Sequence, residues 1–98
     1  MNYTDLINSS KVTVVEFFAT WCPHCQRMMP VVDQVKELVG QKADIVQLDI
    51  DASQEASQEA EVQSVPTFII YRDGHEVWRQ SGEMEGELLL SQIEKALK

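Results

Sequence analysis

Residues 12–18 are apolar on both alternating faces apart from Thr13 and Glu16, the pattern of a strand in the middle of a sheet covered by helices on each side. This strand runs straight into the turn Trp21-Cys22-Pro23-His24-Cys25. Pro23 suits the first turn of a helix, because its missing N–H would have no intrahelical partner there. That helix is expected to run to about Val39, with Met28, Val32, Val35 and Val39 on one stripe and Gly40 as the stop. Pro30 lies within it and removes the bond to the Gln26 carbonyl. Glu16 interrupts the strand on the face of Val14 and Phe18, so a carboxylate is carried into the core or to its edge.

The remaining pattern completes one domain over residues 1–98. A short first helix, capped by Asn2 or Thr4 with Asp5 in its first turn, turns Leu6 and Ile7 inward and reaches about Ser10. Residues 44–50 alternate as a second strand, and the acidic, alanine-bearing stretch 51–61 reads as a short solvated helix. Two β-rich runs, 67–72 and 76–81, meet at Asp73-Gly74, a dipeptide suited to a tight hairpin. A last helix from Gly86 puts Leu89, Leu90, Ile93 and Leu97 on one stripe. The fold class is therefore α/β, a mixed central sheet of about four strands flanked by helices, with a parallel crossover through the cysteine helix. At 98 residues and 44% apolar, with only 4 Gly and 3 Pro, the chain has the makings of an ordered core rather than a tail.

Cys22 and Cys25 are the only cysteines. Two thiols separated by two residues can close a small disulfide ring or open to a dithiol. At a helix start Cys22 faces unpaired N–H groups that favour the thiolate, so it is expected to be the exposed nucleophile, with Cys25 more shielded and resolving. The alternative is a pair of structural thiols packed as small hydrophobes; the tryptophan before the pair and the proline inside it favour redox chemistry. A single such pair is only half of a four-ligand zinc site, with His24 inside the motif and His75 far away, so neither a metal nor another cofactor is expected.

Phe17-Phe18-Ala19-Thr20-Trp21-Cys22, Cys25, Pro30, Val65-Pro66-Thr67 and Gly82, in this order and spacing, resemble the thioredoxin family over residues 12–97. The resemblance implies the thioredoxin fold and thiol-disulfide exchange. By it, Glu16 matches a buried aspartate that accepts a proton from the resolving cysteine, and Gln47 stands where many members place a lysine beside that acid. Pro66 matches a cis proline facing the dithiol, where the backbone of Val65 pairs with an extended substrate. Trp21 and Gly82 complete the substrate surface, whereas Trp78 reads as core. Pro23-His24 departs from the usual glycine-proline pair and is similar to the motif of bacterial periplasmic disulfide oxidants, which insert a helical domain that this short chain lacks. A protonated His24 some 7 Å from the thiolate would contribute about 2 kcal/mol at most, enough to lower the Cys22 pKa but not to span the roughly 150 mV between reductants and oxidants of this class.

With 16 acidic against 8 basic residues the net charge is −8, which disfavours nucleic acid and anionic membranes as partners. Residues 1–5 lack the positive start and apolar run of an export signal, so a cytoplasmic location is expected. The expected function is reduction of disulfide-containing protein substrates by a monomer that a separate reductase, of the thioredoxin reductase kind, regenerates. The alternatives are a disulfide oxidant or isomerase, and a non-catalytic docking module whose dithiol idles.

Overall fold

The computed structural model describes residues 2–98. Helix α1 (Tyr3–Ile7) leads to strand β1 (Val12–Phe18), helix α2 (Pro23–Val39), a 3-10 turn at Gly40–Lys42 and strand β2 (Asp44–Asp49). Helix α3 (Gln54–Glu59), strands β3 (Thr67–Arg72) and β4 (His75–Ser81) and helix α4 (Gly86–Leu97) follow. The sheet has the order β2-β1-β3-β4. β1 runs parallel to β2 through the α2 crossover and antiparallel to β3, which is antiparallel to β4. The four-stranded mixed sheet expected from the sequence is the one observed.

Two-sided burial of β1 explains its composition. Val12 and Val14, with Phe68 and Ile70, pack under Met28, Val32 and Val35 of α2 and Leu89 and Ile93 of α4. On the opposite face Val15, Phe17, Ile69 and Tyr71 pack with Tyr3 and Ala60, next to Leu6, Ile7 and Val62. Each fully buried aliphatic or aromatic side chain contributes about 1.5–3 kcal/mol, so the central strands anchor the domain. The edge strands β2 and β4 are half-buried to exposed.

Several boundaries move for local chemical reasons. α1 stops at Ile7 rather than near Ser10, because side chains behind it take its carbonyls: Asn8 Nδ2 donates to Thr4 O at 2.8 Å and Ser9 Oγ to Leu6 O at 2.7 Å. Its deepest side chain is Tyr3, which the apolar pattern does not mark; the Tyr3 and Tyr71 hydroxyls share a buried hydrogen bond of 2.8 Å. α3 begins at Gln54 because residues 51–53 form a turn, in which Ala52 N–H and Ser53 N–H donate to the Asp49 carbonyl at 3.1 and 2.7 Å. The hairpin turns where expected, with Asp73 and Gly74 at φ +51° and +81°, the two left-handed residues that a tight hairpin requires. A side chain at Gly74 would overlap Asn8, so the turn lies against the end of α1. In β4 the register slips, since Ile70 faces Trp78 but Tyr71 faces Glu76; Val77 is the extra residue and stays exposed.

Candidate active site

The carboxyl end of β1 delivers Ala19, Trp21 and Cys22 to the start of α2, and Ala19, Cys22 and Cys25 form a small cluster with Phe18, Ile50 and Val65. Cys22 is the N-cap of α2. Its Sγ accepts the Cys25 N–H at 3.2 Å, and its thiol donates to the Val65 carbonyl at 3.7 Å. Both cysteines are free thiols. The sequence led us to expect an exposed Cys22, yet it is only 4% accessible and Cys25 1%: capping folds the sulfur back over the first turn, where Val65 covers it. Burial pushes the Cys25 thiol up to about 12, and the hydrogen bond to Cys22 and the charge of Glu16 add to the rise. At neutral pH Cys25 is therefore held as the thiol until a base takes its proton.

Glu16 lies wholly inside. The β1–β2 register sets it beside Gln47, whose Nε2 donates to Glu16 Oε1 at 2.9 Å while its Oε1 accepts from Lys36 Nζ at 2.8 Å. A lysine from α2 thus reaches the acid through the glutamine that stands on β2. Glu16 Oε2 has no protein partner. Burial raises the Glu16 carboxyl above its ordinary range, against the hydrogen bond from Gln47 and the charge of Lys36, both of which lower it. Sequence reasoning missed Lys36 because nothing in the helix marks it except its place near the end of an otherwise apolar stripe.

The groove wall opposite Cys22 is Val65-Pro66, joined by a cis peptide bond. Gly82 N–H donates to the Pro66 carbonyl at 2.8 Å. Gly82 has φ +94°, with open space where a side chain would stand; the backbone geometry, not crowding, selects glycine. Trp21 is 64% exposed and its indole N–H donates to Asp51 Oδ2 at 3.0 Å. Trp21, Ile50, Val62, Gln63 and Val65 line a hollow of about 200 Å³ beside Cys22. Trp78 lies away from this groove, half-buried against the α2 and α4 face.

His24 points its Nδ1 at Glu83 Oε2 (2.5 Å), with Arg27 Nη2 2.9 Å from the same nitrogen. Protonated there, the imidazole donates to Glu83; as the other tautomer it accepts from Arg27. Arg27 also grips Glu83, through Nε at 3.1 Å to both oxygens and through Nη2 at 2.8 Å. Arg27, then His24, hold the Glu83 carboxyl down at about 2. Glu83 and Arg27 were not among the sequence-predicted residues; they are brought together across 56 positions of chain.

The structure thus gathers Trp21, Cys22, Pro23, His24, Cys25, Val65, Pro66 and Gly82 around one groove, with Glu16 beneath it. The family model described as Thioredoxin matches residues 1–95. The chain belongs to the thioredoxin family. It is 38% identical over 96 residues to a thioredoxin of Staphylococcus saprophyticus, covering 98% of this chain and 91% of that one. It is 33% identical over 93 residues to Thioredoxin Y1, chloroplastic, of Arabidopsis thaliana, covering 95% of this chain. Of that chloroplastic thioredoxin and a similar one from rice, the chain spans only about half the length (54% and 55%). Among solved structures, a mutant thioredoxin from Halobacterium salinarum superposes with a TM-score of 0.87 at 28% identity, covering 97% of this chain and 82% of that one. The sheet order and the helices on both of its faces are accordingly those of the thioredoxin fold.

Proposed function

We propose that this thioredoxin-family protein reduces protein disulfides by dithiol exchange, and that the observation carrying the reading is the Cys22–Cys25 pair, hydrogen-bonded to one another beside the Val65-Pro66 backbone. Cys22, as thiolate, attacks one sulfur of the substrate disulfide; a Cys22–substrate disulfide forms and the other substrate sulfur leaves as a thiolate. Glu16 takes the Cys25 proton, Cys25 attacks Cys22 Sγ, and the second substrate thiol leaves. The protein ends as a Cys22–Cys25 disulfide and the substrate as two thiols. A separate reductase, of the thioredoxin reductase kind, returns two electrons.

An extended substrate segment adds along Val65 as a strand would, and its side chains meet Trp21 and the hollow beside it. Pro23 starts the helix that presents Cys22, and His24, when protonated, favours the thiolate to the extent that its partners leave its charge free. This work is that of a monomer in a reducing, cytoplasmic setting, where free thiols persist. No helix among the described residues is long and apolar enough to cross a membrane.

Turnover of a protein disulfide by the single-cysteine variants tests this. Cys22→Ser should abolish reduction, whereas Cys25→Ser should accumulate a mixed disulfide with substrate. Equal trapping by both variants would contradict the assigned order of attack, and full reduction by Cys22→Ser would end the reading itself.

A further inference from the structure

The face of α2 beside the nucleophile carries the Arg27 guanidinium and, when protonated, the His24 imidazolium, three residues apart and hence on one side of the helix. A carboxylate from outside the helix meets both. The bond from Gly82 N–H to the Pro66 carbonyl seats residue 83 next to the segment whose Val65 carbonyl touches Cys22 Sγ. Glu83 therefore belongs to the rim of the groove and not to a remote surface. A free imidazolium and a free guanidinium here would both favour the Cys22 thiolate, and stabilising the reduced form makes such a couple more oxidising. Paired with one carboxylate, their combined field at the sulfur falls.

We propose that Glu83 is the counter-ion of the helix face that follows Cys22, cancelling the charge of Arg27, and of His24 when protonated, and so holding the Cys22–Cys25 couple toward its reducing end. Glu83 is then a positioning residue: it touches neither thiol and acts through the imidazole and guanidinium it binds. This rests on the dithiol reading above. The other charges around the pair are committed elsewhere, Lys36 to Gln47, Glu16 beneath Cys25 and Asp51 to the Trp21 indole, which leaves the Glu83 cluster as the adjustable one.

The test is equilibration with glutathione, in which the protein disulfide and two glutathione thiols exchange for the protein dithiol and glutathione disulfide. Glu83→Gln keeps shape and removes charge from an exposed position. At neutral pH and low salt the exchange constant should move about threefold toward the dithiol, the scale that exposed charge pairs reach and equivalent to about 15 mV for a two-electron couple. Alkylation of Cys22 should reach half its maximal rate at a lower pH, and both shifts should shrink at high salt as the freed cations are screened. Adding Arg27→Gln to Glu83→Gln should return the constant part of the way. An unchanged constant, a move toward the disulfide, or a shift indifferent to salt would each overturn the proposal while leaving the exchange reading intact. A wild-type pair that never cycles with glutathione would overturn both.

Discussion

Glu16 and Glu83 each bond to a side chain that carries or relays positive charge, yet burial drives the first carboxyl above its ordinary range while Arg27 and His24 hold the second at about 2. The difference is solvent. Glu16 meets its lysine through an amide, in a place where water cannot share the charge, and one of its oxygens has no protein partner. Glu83 meets an arginine fork directly and keeps water on its other side. Bonding alone does not set whether an acid in this site holds its proton. The first is thereby the readier of the two to take up and hold a proton, and the second to remain a fixed negative charge.

The most forceful way to break the comparison is Glu16→Leu. Turnover should fall by roughly 10²-fold, the lower end of what a positioned general base contributes, while the fold gains about 1–3 kcal/mol by losing a desolvated and partly unsatisfied group. The sign of the pH dependence follows from the raised carboxyl. Above its ordinary 4.5 the folded protein keeps a proton that the unfolded chain has released, so wild-type stability declines as pH rises toward the folded pKa and levels off beyond it. Urea unfolding at several pH values should show that decline in the wild type and its absence in Glu16→Leu.

Gln47→Leu sharpens the same point with a smaller effect. Without the amide, Glu16 loses its hydrogen bond and its link to Lys36, both of which lower its pKa, and the carboxyl should titrate higher still. The pH profile of single-turnover reduction would register this as a displaced limb. Lys36→Met, which removes charge but leaves the amide bond, should shift that limb less; an equal or larger shift would mean that the lysine, and not the glutamine, governs the acid.

Smallest of all should be Arg27→Gln. The Glu83 carboxyl should then rise from about 2 toward 4.5 in a titration followed by its side-chain carbon resonance, with no measurable change in the unfolding midpoint, because exposed pairs contribute little to stability. Glu83 stabilises the fold only in so far as it is ionised, a contribution present above 4.5 and lost as pH falls through about 2.

How much of this could be read from the chain depended on distance along it. Pro23, Gly40 and Asp73-Gly74 mark ends and turns by backbone chemistry that acts within a few residues, and each fell where expected. The two-sided burial of β1 was legible because the strand is apolar on both faces. α1 differs from expectation in both its length and its anchor, since its stop depends on Asn8 and Ser9 bonding back to carbonyls and its anchor is a tyrosine whose hydroxyl has a partner in β3. In the site, the cysteines, Trp21 and the proline segment were visible through family resemblance. Lys36 and the Glu83 cluster were not, because a long side chain reaching across a crossover, and an acid meeting a helix 56 positions away, leave no local mark. The slip at Val77 likewise depends on how two strands pair, which neither reveals alone.

That slip bears on how the protein keeps company with itself. A sheet with open edges has a standing hazard, since a flat edge invites pairing from copies of the same chain. The extra residue in β4 bends the outermost rung of the sheet, and the Glu76–Arg79 ion pair roughens it further. The β4 edge is thereby spoiled as a template, which leaves β2, in unbroken register with β1, as the one regular edge of the sheet.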